Sequence, residues 1–156
     1  MRVNLACSLL IPFLLVGGCA RFCGRHEESE FERIEFSKSG FKIPIHTMTV
    51  QNTGEIHISI RRRLHPETLS AEIGDEELRI LSTKLVEADF WSLKAHYRPE
   101  GYRTDQNTHR ITVVQDGCEK SVRVYDYESI QELPSGLRTL IEVLEDMLES
   151  ILGRDI

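Results

Sequence analysis

The chain has 156 residues, of which 40% are hydrophobic and 28% charged, and its formal net charge at pH 7 is −6. This length is typical of one domain of ordinary size. The acidic balance argues against nucleic acid as a partner, because binding to phosphates along a strand needs a clustered basic surface and a favourable overall charge.

The N-terminus carries a short apolar segment. Residues 1–18 read MRVNLACSLLIPFLLVGG, with a single cation at Arg2 and an apolar run from Val3 to Val16. The run is shorter than the about 20 residues of a membrane-spanning helix, and Pro12 interrupts it. A charged start, a short apolar stretch and small residues at the exit are typical of a secretory signal peptide.

Cys19 follows this segment directly, in the order Val-Gly-Gly-Cys. That order resembles the lipobox of bacterial lipoproteins, in which a peptidase cleaves before a cysteine that carries diacylglycerol. The resemblance implies that Cys19 is lipidated and holds the mature protein on membrane lipid in the cell envelope. Ala20, where an aspartate would mark inner-membrane retention, implies the outer membrane if the cell is Gram-negative. An ordinary signal peptide with an incidental cysteine, or a retained N-terminal helix, are the alternatives.

Residues 19–30 are charged and lack periodicity, which predicts a short tether. Once Cys19 is lipidated, Cys23 and Cys118 are the remaining cysteines of the mature chain, and an oxidising compartment would permit a disulfide between them. Sequence leaves that pairing open. The spacing of Cys19, Cys23 and His26 is a weak metal signal, because lipidation would consume the first thiol and no fourth ligand lies near. We therefore expect no metal site and no cofactor.

The globular part, residues 31–156, begins with a predicted first strand that ends at Gly40. Two hairpins follow at 45–60 and 111–124, with Asn-Thr-Gly and Asp-Gly in their turns. The basic run at 61–63 ends a strand, where alternation sends its members to opposite faces, so solvent exposure is expected. Contact with lipid headgroups or an acidic partner is the alternative for this run.

Each hairpin precedes an amphipathic helix. The first is predicted from Asp75, its N-cap, to Ala88. The second begins at Pro134-Ser135 and ends at Gly153, with a leucine-rich stripe on one side and four acids expected to face water, namely Glu142, Glu145, Asp146 and Glu149. Between the halves, Trp91 is expected to pack in the core.

A hairpin and a helix, repeated, predict an α+β domain. We expect a two-layer sandwich in which a mainly antiparallel sheet of four to five strands carries two helices on one face.

Several segments also resemble an uncharacterised family of bacterial envelope domains. The residues concerned are Ser39-Gly40-Phe41, Pro44, TVQNTGEI, Asp89-Phe90-Trp91 and TDQNTHRITVVQDG, and the resemblance spans about residues 31–152. Many members carry a cysteine pair where this chain has Phe41 and Ile43, so any role of that pair is absent here. The resemblance implies a fold but no mechanism, because the family has no settled activity.

No nucleophile elbow, phosphate-binding glycine loop or H-E-x-x-H motif occurs in the chain. Six histidines are scattered singly. His46 and His57 lie in paired strands, where they could face each other. His96 and His109 flank a loop that contains Asp105, although Asp105 more readily makes a local turn hydrogen bond.

The favoured function is a membrane-anchored, non-enzymatic accessory module that binds another envelope protein or a small ligand. The binding surface would be a face of the sheet or the long polar loop of residues 98–110, with Tyr97, Tyr102, Arg103 and Asp105 as its contact residues. The alternative is a small hydrolase or metal-dependent enzyme that uses His96, Asp105 and His109.

Overall fold

A computed structural model of the chain describes residues 30–40, 44–62, 66–101, 107–126, 130 and 132–153. Within these residues the chain forms seven strands, two α-helices and a 3₁₀ turn: β1 Arg33–Ser39, β2 Ile45–Gln51, β3 Glu55–Arg61, β4 Pro66–Glu72, α1 Asp75–Glu87, the turn Phe90–Ser92, β5 His96–Tyr97, β6 Thr108–Gln115, β7 Cys118–Tyr125 and α2 Ser135–Leu152. The strands form one sheet in the order β4-β3-β2-β1-β6-β7-β5. Neighbouring strands are antiparallel, except that β5 runs parallel to β7.

Both predicted hairpins are present. β2 pairs with β3, and β6 pairs with β7. In the second turn Asp116 and Gly117 have φ angles of 52° and 69°. Two successive positive φ values match the right-handed twist of the flanking strands, which is why an Asp-Gly pair closes this hairpin.

The central strands have two unlike faces. The core face carries their buried residues, Ile34, Phe36, Met48, Val50, Ile56, Ile58, Ile60, Ile111, Val113, Val122 and Val124. The open face carries the intervening, exposed or half-exposed residues, Glu35, Ser37, Thr47, Thr49, His57, Ser59, Arg110, Thr112, Ser121 and Arg123. Because side chains alternate along a strand, this period of two separates an apolar surface from a polar one.

Both helices contribute to the core that contains the core face. The six buried residues of α2 are Leu137, Leu140, Ile141, Leu144, Leu148 and Ile151, whereas only Leu81 of α1 is fully buried. Helix α1 contacts α2, and a Cβ on Gly136 would lie 2.6 Å from the carbonyl oxygen of Glu87. Glycine at position 136 therefore allows the start of α2 to approach the end of α1.

A lysine on the core face holds the 3₁₀ turn. Lys120 lies opposite Val113, and its Nζ donates to the carbonyl oxygens of Trp91 at 2.5 Å and Leu93 at 2.7 Å. Burial lowers the pKa of Lys120, and the charge of Asp89 opposes that shift. Trp91 packs against the core as expected, and its indole N–H donates to Gln115 at 2.7 Å.

The α+β class and the two helices are confirmed, but the predicted count of four to five strands was wrong, since the sheet has seven. The additional strand β4 reads PETLSAE and has no buried residue, so it lacks the apolar alternation that marks a strand. The other, β5, has two residues, too few to show any period. At the start of α1 the N-cap is Gly74, whose N–H donates to Glu77, and not Asp75.

None of the helices within the described residues is long and apolar enough to span a membrane.

Candidate functional site

Three polar side chains meet within the core face at one end of the sheet, and we call them the core-face cluster: Lys38, His109 and Glu145. The Nε2 atom of His109 lies 3.0 Å from an oxygen of the Glu145 carboxylate, and Lys38 Nζ lies 2.5 Å from the same oxygen. His109 is 2% exposed, and its ring stacks on Phe36 with centroids 5.9 Å apart. The cluster joins β1, β6 and α2.

Strand periodicity places Lys38 and His109 on the core face. Lys38 lies opposite His109, and it follows Ile34 and Phe36 at a spacing of two. Each therefore takes a position that alternation assigns to the core face. Glu145 lies on α2 one turn after Ile141. The prediction that Glu145 faces water was therefore wrong, because the helix turns it toward His109 and Lys38.

The core-face cluster brings two basic side chains onto one carboxylate. A hydrogen bond from His109, together with one from Lys38 and both positive charges, lowers the pKa of Glu145 to about 2, although burial acts in the opposite direction. A carboxylate with so low a pKa stays ionised at neutral pH and is a poor proton acceptor. Burial, Lys38 and Arg62 lower the pKa of the neighbouring His46. This arrangement favours charge pairing across the core over acid–base chemistry.

A second group, the arginine cluster, lies on the open face beside β5. It consists of Arg98 and Arg123, which both contact Tyr125, of Arg110, which lies opposite Arg123, and of His96 at its edge. Tyr125 is 7% exposed, and the guanidinium carbon of Arg98 lies 4.5 Å from the centre of its ring. Arg98 and Arg123 each donate to the Tyr125 hydroxyl at 3.2 Å, and the His96 ring centroid lies 6.3 Å from that of Tyr125.

Like charges are placed side by side in the arginine cluster. Arg110 lies directly opposite Arg123. Opposed like charges on neighbouring strands destabilise a sheet. Among the described residues, neither Arg110 nor Arg123 forms an ion pair, whereas Arg33 on the same face pairs with Glu119 at 3.5 Å. Burial raises the pKa of Tyr125, but hydrogen bonds and charge from Arg123 and Arg98 lower it, and the lowering prevails.

A family model described as "Domain of unknown function (DUF6438)" matches residues 33–148, which is well over half of the chain. The chain belongs to this family. The match supports the expectation of an uncharacterised domain, and the description names neither an activity nor a cellular location. No curated protein shows significant similarity to the chain. Both polar clusters lie within the DUF6438 domain.

The structure separates the histidines that the sequence placed near each other. His96 lies opposite Arg123 on the open face, whereas His109 lies opposite Val124 on the core face. His46 lies opposite Ile60 on the core face, and His57 lies on the open face within 3.3 Å of Ser70. Neither pair converges on a common point.

The predicted interaction loop is described only in part. Tyr97 is half-buried, packs against the core, and accepts a hydrogen bond from the N–H of Lys94 at 3.2 Å. Tyr102, Arg103 and Asp105 lie outside the described residues. Tyr97 thus contributes to packing, and its role as a contact residue stays a prediction.

Most residues named in the cysteine and metal predictions lie outside the part of the chain that the structure describes. Cys19, Cys23 and His26 lie outside the described residues. Cys118 is buried and disulfide-bonded, and its partner also lies outside them. Within the described ranges, no three His, Cys, Asp or Glu side chains form a group that could hold a metal ion.

Sequence reasoning missed most of both clusters. The signal for the core-face cluster was available, because Lys38 and His109 continue the alternation of buried residues in β1 and β6. The arginine cluster has a weaker signal. Arg110 and Arg123 occupy alternate, outward positions of their strands, but only the register of β6 with β7 makes them neighbours.

Proposed function

We propose that this DUF6438 protein is a lipid-anchored, non-enzymatic module of the cell envelope that binds an envelope partner or small ligand through the open face of its sheet. The observation that carries the binding role is that Arg110 and Arg123 lie opposite each other on that face, and that among the described residues neither forms an ion pair. Charge placed where it weakens the fold is typical of functional sites, because a binding partner supplies the missing compensation.

The anchor is supported by the N-terminal sequence. An apolar run of signal-peptide length ends at two small residues followed by Cys19. The disulfide bond of Cys118 supports export, since disulfides persist in oxidising compartments. Stable attachment needs more than one acyl chain, because a single chain holds a protein only reversibly at about 0.8 kcal/mol per buried CH₂. Lipid on both the thiol and the new amino group of Cys19 would meet that requirement.

The open face is supported as the binding surface by the distribution of apolar residues. In the two-layer arrangement that we propose, α1 and α2 both cover the core face and leave the other face to solvent. Ser and Thr residues line much of that open face, and its one exposed large apolar side chain among the described strand residues is Ile45, at the end of β2. Such a surface suits a polar ligand more than an apolar protein groove.

Replacement of the lipidated thiol tests the anchor. We expect Cys19→Ser to release the protein from the membrane fraction, and mass spectrometry of the wild-type N-terminus to show diacylglycerol and an acylated amine on residue 19. Cys23→Ser is the matched control, because it changes a cysteine four positions away that is not the lipidation site, and membrane association should stay intact even if the disulfide of Cys118 is lost. A Cys19→Ser protein that still fractionates with membranes would overturn the anchor.

Site-specific crosslinking in cells tests the surface. A photo-crosslinking amino acid replaces Ser121, which is exposed on the open face, and, as a control, Val86 of α1, which is 61% exposed. We expect discrete adducts from position 121 and none from position 86. Equal labelling from both positions, or labelling from position 86 alone, would contradict an open-face binding surface.

A further inference from the structure

Within the described sheet, strand β4 has a neighbouring strand on one side only. It is the last strand at one end of the sheet, and five of its seven residues are exposed. The last strand at the other end, β5, has only two residues. A strand at the edge of a sheet presents N–H and C=O groups that another extended chain can bind, and a longer strand presents more of them. The described sheet can therefore be extended at β4.

The features that protect an edge strand from such pairing are few in β4. All its residues pair with β3 in an unbroken register, so no bulge twists it away. It contains no Lys or Arg, and its proline is the first residue, Pro66. Its acid on the core face, Glu67, lies 3.0 Å from the guanidinium group of Arg62. The middle of the strand, residues 68–71, is uncharged.

The ladder with β3 determines which backbone groups of β4 point outward. Just beyond the strand, and in register with it, the N–H of Ile73 donates to the carbonyl oxygen of Gly54 at 3.0 Å. In an antiparallel ladder, residues that bond to one neighbour alternate with residues that bond away from it. Residues 67, 69 and 71 therefore bond to β3. The residues whose backbone groups point outward are Pro66, Thr68, Ser70 and Glu72.

A second copy of β4 matches these outward groups along the whole strand in one antiparallel register. When the two copies cross at Leu69, the N–H and C=O groups of Thr68 meet those of the second copy's Ser70. The N–H of Glu72 meets the carbonyl oxygen of the second copy's Pro66. Proline has no N–H to donate in return, but this gap falls at the end of the ladder and not in its middle.

Charge and packing favour the same register. Glu67 lies opposite the second copy's Ala71, so no acid faces an acid, whereas like charges directly opposite each other would weaken the pair. Leu69 is half-buried and packs against the core of its own domain. In this register it lies directly opposite its own copy, so each copy covers apolar surface of the other.

We propose that the protein forms a two-fold symmetric dimer in which β4 pairs antiparallel with β4 of a second copy, centred on Leu69. The two sheets then form one continuous sheet, and the contact is isologous, as in most homodimers. This inference goes beyond the proposed function. It depends neither on the anchor nor on the arginine cluster, because the residues of β4 alone carry it.

Cysteine substitution at two neighbouring core-face positions tests the register. In the proposed dimer the two Leu69 Cα atoms lie about 4.5 Å apart. Those of Ala71 lie about 14 Å apart, because each residue adds about 3.4 Å along a strand. A disulfide needs Cα atoms within about 7 Å of each other. We expect Leu69→Cys to form a disulfide-linked dimer in intact cells, seen on a non-reducing gel, and the matched control Ala71→Cys to form none.

Removal of an outward N–H tests the hydrogen bonds. In analytical ultracentrifugation the full-length wild-type protein, in mild detergent, should sediment as a dimer. Ser70→Pro deletes an N–H that β3 does not use. It should weaken dimerisation about tenfold or more, because both copies lose a hydrogen bond. Ser70→Ala keeps the N–H and should dimerise like wild type.

A second variant keeps the proposal testable where circular dichroism shows that Ser70→Pro has lost the fold. Thr68→Lys combined with Ser70→Lys places lysines opposite each other across the dimer, at positions that are exposed in a single copy. This double variant should sediment as a monomer at low salt, because opposed like charges repel. A monomeric wild type, equal crosslinking from positions 69 and 71, or full dimerisation of the folded variants would overturn the proposal.

Discussion

Two polar clusters lie on opposite faces of the same strands, and they differ in how their charges are balanced. On the core face, His109 and Lys38 both contact one carboxylate, that of Glu145. On the open face, the next residue along β6, Arg110, lies opposite another arginine. Consecutive residues of β6 therefore differ: His109 shares a carboxylate with Lys38, whereas Arg110 faces Arg123, and within the described residues neither of these two arginines forms an ion pair.

This difference separates stabilisation from binding. A buried polar group must find its partner within the protein, because water cannot replace that partner. An exposed charge can be solvated, so it can be kept without a partner and used for a ligand. Substitutions should therefore lower stability on the core face, whereas on the open face they should weaken binding at little cost to stability.

The largest effect is expected from removal of the shared carboxylate. Glu145→Ala leaves Lys38 and His109 with only the exposed Glu149, 3.9 Å from Lys38, as a counter-charge, and we expect the free energy of unfolding to fall by about 2–3 kcal/mol at pH 7. Urea denaturation followed by circular dichroism measures this loss.

The matched control for this substitution is Glu149→Ala, four residues later on the same helix. The Glu149 side chain is 70% exposed and lies 3.9 Å from Lys38. Because exposed ion pairs contribute little, its loss should be below about 0.5 kcal/mol. Equal losses from the two variants would show that helix propensity, and not the core-face cluster, determines the effect.

Acid should weaken the same contact. The pKa of Glu145 lies at about 2 in the folded protein against an ordinary value of 4.5. A lowered pKa stabilises the fold fully above the unfolded value, and this contribution is lost as pH falls through about 4.5 toward 2.

The comparison of wild type with Glu145→Gln isolates this titration, because Gln keeps the shape and cannot ionise. We expect the difference in unfolding free energy between them to shrink by about 2 kcal/mol between pH 5 and pH 2. His109, Lys38 and Glu149 surround the carboxylate and are present in both proteins. A difference that does not change with pH would show that His109 and Lys38 do not lower the pKa of Glu145.

The sequence predicted those elements whose residues repeat with a clear period. Helix α2, with six buried residues at spacings of three and four, begins and ends where its proline and glycine indicated. The two hairpins likewise follow from alternation and turn residues. Strand β4 escaped prediction because it pairs only with β3 at the edge of the sheet and turns only two apolar residues, the half-buried Leu69 and Ala71, toward the core.

The candidate sites were less predictable for a different reason. Lys38 and Glu145 meet because a strand and a helix more than 100 residues apart pack together, and no local pattern encodes that contact. The arginine cluster depends on the register of β6 with β7 and on a two-residue parallel strand. A sequence shows which face a residue takes within its own strand, but the choice of neighbours is a property of the packed sheet.

A moderate effect is expected at the other end of the core-face ion pair. Lys38→Met removes one of two positive charges from Glu145, while His109 still donates to it, so we expect a loss of about 1 kcal/mol. Thermal unfolding of Lys38→Met, Glu145→Gln and the double variant measures the coupling. Additive losses, with no interaction between the two positions, would show that the short contact contributes nothing to stability.

The smallest effect has the opposite sign. Arg110→Thr removes one of two opposed like charges. Threonine also suits this position, because the cross-strand neighbours on β1 and β2 are Ser37 and Thr47. We therefore expect the free energy of unfolding to rise by about 0.5 kcal/mol at low salt, and less at high salt, where the repulsion is screened. Arg33→Thr, which breaks an exposed ion pair, should instead lower it slightly. If Arg110→Thr lowered stability by more than about 1 kcal/mol, both clusters would be structural and the contrast between the faces would fail.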